Sequence, residues 1–355
     1  MKNHELKKQV GAPGENPMTR RKFLIASSVG TISYLMGRRR PGRNVIYAKS
    51  GQSGGGDRTM VNSRVAVVET DSRSGGVERA ISLLDFEDEF SSQEVLLKPN
   101  FNTADPFPAS THNDTLVAIV ENLRKLGAGK ISIGERSGPP PTAQVFEDKG
   151  IYELTKEHGL GLINFDELPG SDLPVQRPEL SHWRDGFRVA APILEAEKIV
   201  TTCCLKTHQF GGEFTMSLKL SVGIIPRKGY DYMSELHSSP NMRKMIAEIN
   251  QVYSPDLIIM DALEVFTDGG PSFGEKKKAN LIIAGRDRVA VDAVGLAVLK
   301  TLGSNREIMS NSIFEQEQIK RAADLGLGAR AANEIELVGR EDNPEIISRI
   351  QNRLS

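Results

Sequence analysis

Four groups of polar residues fall just behind apolar runs in this chain. Lys98 and Asn100 follow the run at 95–97, and Glu135 and Arg136 follow 130–133. Lys206, Thr207 and His208 follow 198–202, and Asp261 follows 257–260. Short apolar runs bounded by turn residues read as buried strands. If those strands are parallel, their carboxyl ends share one edge, and these residues converge there. Lys98, Lys206 and Lys219 would then form a cationic pocket suited to phosphate or carboxylate, against the alternative of three solvated surface lysines. His208 and His237, with Asp261 and Asp292, are the types that move protons or bind a divalent metal ion. No tight motif such as H-E-x-x-H joins them, so the cofactor and the metal stay open at this level.

Other candidates carry an ordinary structural reading alongside the chemical one. His112 precedes a helical pattern, where it is either a substrate contact or a loop residue beside the cap Asp114. Gly269-Gly270-Pro271 is a loop whose backbone NH groups suit an anion, or a plain turn. Asp292 is a catalytic candidate or the cap of its own helix. His158 beside Gly159 reads as a helix-end residue. Gly127-Ala128-Gly129-Lys130 precedes a strand, whereas a phosphate loop follows one. The G-x-S-x-G match at 51–55 lies in a flexible stretch and lacks the strand and helix that a nucleophile elbow needs.

The elements that must position these residues alternate. Strands are expected at 64–68, 95–97, 130–133, 162–165, 198–200, 257–260, 281–283 and 334–338. Helices are expected at 77–86, 115–126, 143–158, 292–302 and 344–354. Alternating strands and helices give an α/β fold of βαβ units, a mainly parallel, mixed sheet flanked by helices. Residues 61–355 make up this α/β part, as one large domain or two lobes.

The amino-terminal region differs. Thr19-Arg20-Arg21-Lys22-Phe23-Leu24 is a twin-arginine motif leading into a mildly apolar stretch of about 15 residues, short of the roughly 20 needed to span a bilayer. Residues 1–48 therefore read as an export signal for the twin-arginine translocase, and 49–60 as a Gly/Ser linker. The expected location is periplasmic or otherwise outside the cytoplasm. Arg38-Arg39-Arg40 behind the apolar stretch leaves an uncleaved anchor as the alternative. The signal holds ten Lys or Arg and two acids, so 35 basic and 44 acidic residues remain, a net of −9. That body is a poor partner for nucleic acid. The two cysteines, Cys203 and Cys204, read as buried thiols in a core strand, with a vicinal disulfide as the alternative. Two cysteines do not hold a four-iron cluster, so no iron–sulfur centre of its own is expected.

Several of these segments together resemble the bacterial and archaeal family known as domain of unknown function 362. They are VLLKPNF (95–101), the helix–strand unit at 113–134, LKTHQFGGEFTMSLKLSVGIIP (205–226), PDLIIMDALEVFTDGGPSFG (255–274) and LIIAGRDRVAVDAVG (281–295). The resemblance spans roughly 64–300. It implies twin-arginine export and an iron–sulfur or other redox partner, because relatives are often exported or fused to ferredoxin modules. This chain departs from the fused relatives in lacking the cluster cysteines. Two functions follow as expectations. One is an enzyme acting on an anionic small molecule. Its anion is held by Lys98, Asn100, Lys206 and Lys219, helped by His112, Glu135 and Gly270. The other is a non-catalytic accessory protein of a redox system.

Overall fold

The computed structural model describes residues 63–339, 341 and 343–355. The expected signal (1–48), the linker (49–60) and residues 61–62 of the expected α/β part lie outside these residues. The chain runs β1 (Ser63–Glu69), α1 (Arg73–Ser82), β2 (Val95–Lys98), α2 (Asn113–Lys125), β3 (Ile131–Glu135), α3 (Thr142–Asp148), α4 (Ile151–Glu157) and β4 (Gly161–Asn164). It continues with β5 (Val175–Gln176), β6 (Phe187–Arg188), α5 (Ala191–Glu195), β7 (Lys198–His208), β8 (Glu213–Thr215), α6 (Ser217–Leu220), α7 (Tyr232–Ser238) and α8 (Met242–Ile249). It ends with β9 (Leu257–Gly269), β10 (Gly274–Gly285), α9 (Arg288–Leu302), α10 (Arg306–Ser310), α11 (Glu317–Asp324), β11 (Ile335–Val338) and α12 (Pro344–Leu354).

The main sheet has the order β11-β1-β10-β9-β7-β2-β3-β4, with β8 paired to β7. Pairs β1–β11, β2–β3, β2–β7, β3–β4 and β7–β9 are parallel, and β1–β10, β9–β10 and β7–β8 are antiparallel. The α/β fold with a mixed, mostly parallel sheet is as expected. The differences lie in lengths and in elements that were not expected, among them β8, α7, α8 and α11. The runs at 257–260 and 281–283 are only the apolar parts of a long hairpin, β9–β10, whose tip and outer half are polar (Glu275, Lys276, Lys277, Lys278). Period-two patterning fades where a strand leaves the core, so the polar half carries no strand signal. The helix expected at 143–158 is two, parted at Gly150, whose φ of +65° suits glycine. The first helix starts four residues earlier than expected, on the Ser72 cap.

Alternation along the strands divides the core. Cys203, Leu205, Met260 and Ile283 pack with α9, α11 and α12 on one face. Cys204, Ile259, Ile282 and Leu97 pack with α1 to α4 on the other. The two cysteines thus belong to opposite faces, and both are free buried thiols. α9 is buried at every position from Arg288 to Leu299, the mark of a helix enclosed by core. Each Val or Leu there contributes roughly 1.5–3 kcal/mol by leaving water. Among the described residues no helix is long and apolar enough to cross a membrane.

Candidate functional site

The carboxyl ends of β2, β3 and β7 meet a segment from β8 to the turn at Ser221–Ile224, and a cavity of about 60 Å³ lies between them. Lys98, Asn100, Glu135, Arg136, Lys206, His208 and Lys219 all line it, as do Thr215 and Pro271. A single water needs roughly 10–15 Å³ of such space, so the cavity has room for a few heavy atoms and no more.

Lys98, the last residue of β2, donates to Glu135 Oε1 at 2.6 Å and to Pro99 O at 2.9 Å, and both side chains are buried. Glu135 also accepts from the backbone NH groups of Phe101 (2.9 Å) and Arg136 (2.8 Å). Burial pushes the Glu135 carboxyl up and the Lys98 ammonium down, and each partly restores the other. The pair is closed on itself. Gly223 covers it, and a Cβ there would sit 2.8 Å from both Lys98 Nζ and Glu135 Oε1, so only glycine lets this turn approach.

The other cations are less committed. Lys206 is fully buried and donates to Pro271 O at 3.1 Å and to Ala109 O. Arg136 donates to Ile225 O (2.7 Å) and Ser137 O (3.0 Å), but its Nη2 has no partner among the described residues. Lys219, from α6, makes no hydrogen bond or ion pair among the described residues. Burial, and for Lys219 the charges of Lys206 and Arg136 as well, lowers both Lys206 and Lys219 to about 8. Two more buried donors line the same space. Among the described residues Thr215 Oγ1 has no partner, and Asn100 Nδ2 reaches no acceptor better than the Cys204 thiol. A buried donor without an acceptor costs roughly 1–3 kcal/mol. Several in one cavity mark a place where an acceptor is missing.

His208 ends β7. Its Nδ1 accepts from Phe210 N at 3.3 Å, which assigns the proton of the neutral ring to Nε2. Burial, with Lys219, Lys206 and His237 nearby, lowers its pKa to about 2. His208 is therefore a neutral donor in a cationic cavity rather than a charged group.

Five expected residues lie elsewhere. His237 is exposed on α7 and binds Met233 O at 2.8 Å, within electrostatic reach of His208 but off the cavity wall. Asp261 follows Met260 on β9 and takes the face of Ile259 and Leu263, where it binds Arg73 (2.8 Å) and Thr115 Oγ1 (2.6 Å). His112 is on that side too, as the cap of α2. Its Nδ1 accepts from Asp114 N at 3.1 Å, so His112 does the capping expected of Asp114. Asp292 does not cap its own helix, which starts behind Asp287. Instead its two oxygens accept Ser217 N (2.8 Å) and Leu218 N (2.9 Å), which anchors the segment that ends in Lys219. Burial lifts Asp292 to about 7 against the pull of those two donors. Gly270 spends its NH on Phe273 O at 2.7 Å rather than facing the cavity, and Pro271 lines the wall in its place. At φ +74°, with a would-be Cβ 2.0 Å from Thr207 O, position 270 accepts only glycine.

The residues that the strand-end argument left without a role are Arg136 and Thr215. Arg136 adjoins a chosen residue, and a buried arginine behind a strand is a usable signal. Nothing in the sequence marks Thr215. Among the described residues no group of three or more His, Cys, Asp or Glu is placed to hold a metal ion.

A family model for a domain of unknown function, DUF362, matches residues 95–297, more than half the chain and all the strands that build the cavity. The chain belongs to the DUF362 family. No curated protein sequence matches it. Among solved structures it is similar to the lactate racemase apoprotein from Thermoanaerobacterium thermosaccharolyticum, at 13% identity and a TM-score of 0.45. That likeness covers 68% of this chain and 58% of that one. Every cavity residue named above falls within the DUF362 match.

Proposed function

We propose that this DUF362 protein binds a small anion at the ends of β2, β3 and β7 and acts on it as an enzyme. The observation that carries the reading is the unpartnered Lys219 ammonium beside the free Nη2 of Arg136 in one small cavity. With Lys206 they give three positive groups against one carboxylate, Glu135, which Lys98 already neutralises. A phosphate or a two- to three-carbon carboxylate supplies the acceptors that these donors lack. His208 Nε2–H is then a neutral donor to charge developing on the substrate. The lysines near pKa 8 are suited to exchange a proton close to neutral pH.

Titration calorimetry with inorganic phosphate, oxalate and acetate tests this. One of them should bind saturably, and Lys219→Met should weaken it at least tenfold. If none of the three binds, or if Lys219→Met leaves the affinity unchanged, the reading fails.

The accessory role rests on a separate observation. Phe210 and Phe273 are 59% and 72% exposed on the adjoining loops at 209–212 and 270–273, a surface suited to a partner. Twin-arginine export belongs to the same proposal and rests on the motif at 19–24. Replacing Arg20 and Arg21 by lysine should leave the protein in the cytoplasm of its host, and periplasmic recovery of that variant would end the export reading.

A further inference from the structure

A second cleft, of about 420 Å³, opens where β1 leads into α1, beside β9 and β10. It shares no lining residue with the cavity described above. Its organising group is Arg73, the first residue of α1. Nε donates to Asp261 Oδ2 at 2.8 Å, and the guanidinium lies over the Phe107 ring, 4.6 Å from its centre. The group is held at two points, yet neither terminal NH₂ has a hydrogen-bond partner among the described residues. Lys278, across the cleft on β10, likewise makes no side-chain hydrogen bond or ion pair there. His112 completes the polar side. With Nδ1 taken by the Asp114 NH, its neutral ring carries a proton on Nε2.

Asp261 explains the arrangement. A buried ion pair is by itself weak support for stability, because desolvation offsets its attraction. Asp261 nevertheless keeps a fully buried carboxylate and commits it to Arg73, Thr115 Oγ1 and the Leu263 NH. What that network does achieve is to lock the guanidinium plane with its outer edge free, the state in which arginine grips a carboxylate through two parallel hydrogen bonds.

The geometry points to a second ligand site, for a monocarboxylate with an apolar body, held by the free edge of Arg73 with Lys278 and His112. The apolar body lies on Phe107 and Leu263. Asp71 and Glu264 on the wall oppose a polyanion, which selects against phosphate and nucleotides. The same carboxylate can come from a free acid or from an α-amino acid, whose ammonium those two acids would meet.

Calorimetry on the full chain with isovalerate, L-leucine and inorganic phosphate tests the site. Isovalerate should bind saturably. Arg73→Lys keeps the charge facing Asp261 but loses the fork, and should weaken binding at least tenfold. Lys278→Ala, a surface change that leaves the buried network alone, should weaken it about threefold. Lys219→Met, in the other cavity, should leave isovalerate binding as it is. Equal binding of leucine supports the site, and tighter binding of leucine supports it and gives the rim acids the ammonium. Absence of saturable binding by either carboxylate overturns the inference. So does binding of phosphate at this site in preference to isovalerate, or an affinity indifferent to both Arg73→Lys and Lys278→Ala.

Discussion

Glu248 and Lys219 are both charged groups on short helices beside the same sheet, and their surroundings are opposite. Glu248 on α8 is fully buried. It accepts Arg321 Nε (3.0 Å) and Nη2 (2.8 Å), the His182 NH (2.8 Å) and His182 Nδ1 (2.6 Å). The knot ties α8 to α11 and to the segment before β6. Every partner is supplied by the chain, and nothing is left over for a ligand. Lys219 on α6 has like charges for neighbours and no acceptor among the described residues. A fold satisfies the charges that hold it together, and an unsatisfied one is retained at a cost where something else completes it.

The sharpest way to break this contrast is to remove each group and follow stability. Glu248→Ala leaves Arg321 without its carboxylate and should destabilise the protein by about 3 kcal/mol, read by urea denaturation, with anion affinity unchanged in the folded fraction. Lys219→Met should do the reverse. Its pKa of about 8 in the folded protein lies below the 10.5 of an ordinary lysine. Folding at pH 7 therefore works against a proton that the unfolded chain holds more tightly, a penalty that lessens as pH rises from 8 toward 10.5. Removing the ammonium should raise stability at pH 7 by about 1 kcal/mol, less than the full shift would give because Lys219 is only half-buried and solvent screens its charge. A loss of stability in Lys219→Met would place this lysine with the scaffold.

A smaller effect sharpens the same comparison. Lys206 and Lys219 hold an anion only when protonated. Affinity at the first cavity should be flat from pH 6 to 7 and fall up to tenfold per unit for each lysine above about pH 8. His208, lowered to about 2, should add no inflection between pH 5 and 7. An inflection there, seen by calorimetry across the range and lost in His208→Gln, would mean that the ring is charged in the complex.

Much of the first cavity was legible beforehand. Lys98, Asn100, Glu135, Lys206 and His208 follow apolar runs, and parallel pairing carries them to one edge. Lys219 was legible as a cation, and its lack of a partner was not. Asp261 follows an apolar run as well, yet it serves the other face. The reason is parity. Successive side chains on β9 alternate, so Met260 enters one core and Asp261 the other. A run four residues long does not say which face is which. Asp292 misled for a related reason, since a carboxylate inside a helix caps whatever NH groups lie opposite. Its partners, Ser217 and Leu218, are about 75 residues away in the chain.

What the sequence by itself determined is local: the periods of helix and strand, the βαβ alternation and the list of charged residues at strand ends. These follow from side-chain spacing within a dozen residues. What only the tertiary structure decided is pairing: β9 with β10 as a long antiparallel hairpin, Glu248 with Arg321, Arg73 with Asp261, and Lys219 with no partner among the described residues. Pairing depends on which distant surfaces the packed layers bring within about 3 Å of each other, and hydrogen-bond strength falls away so steeply beyond that distance that no local pattern records it.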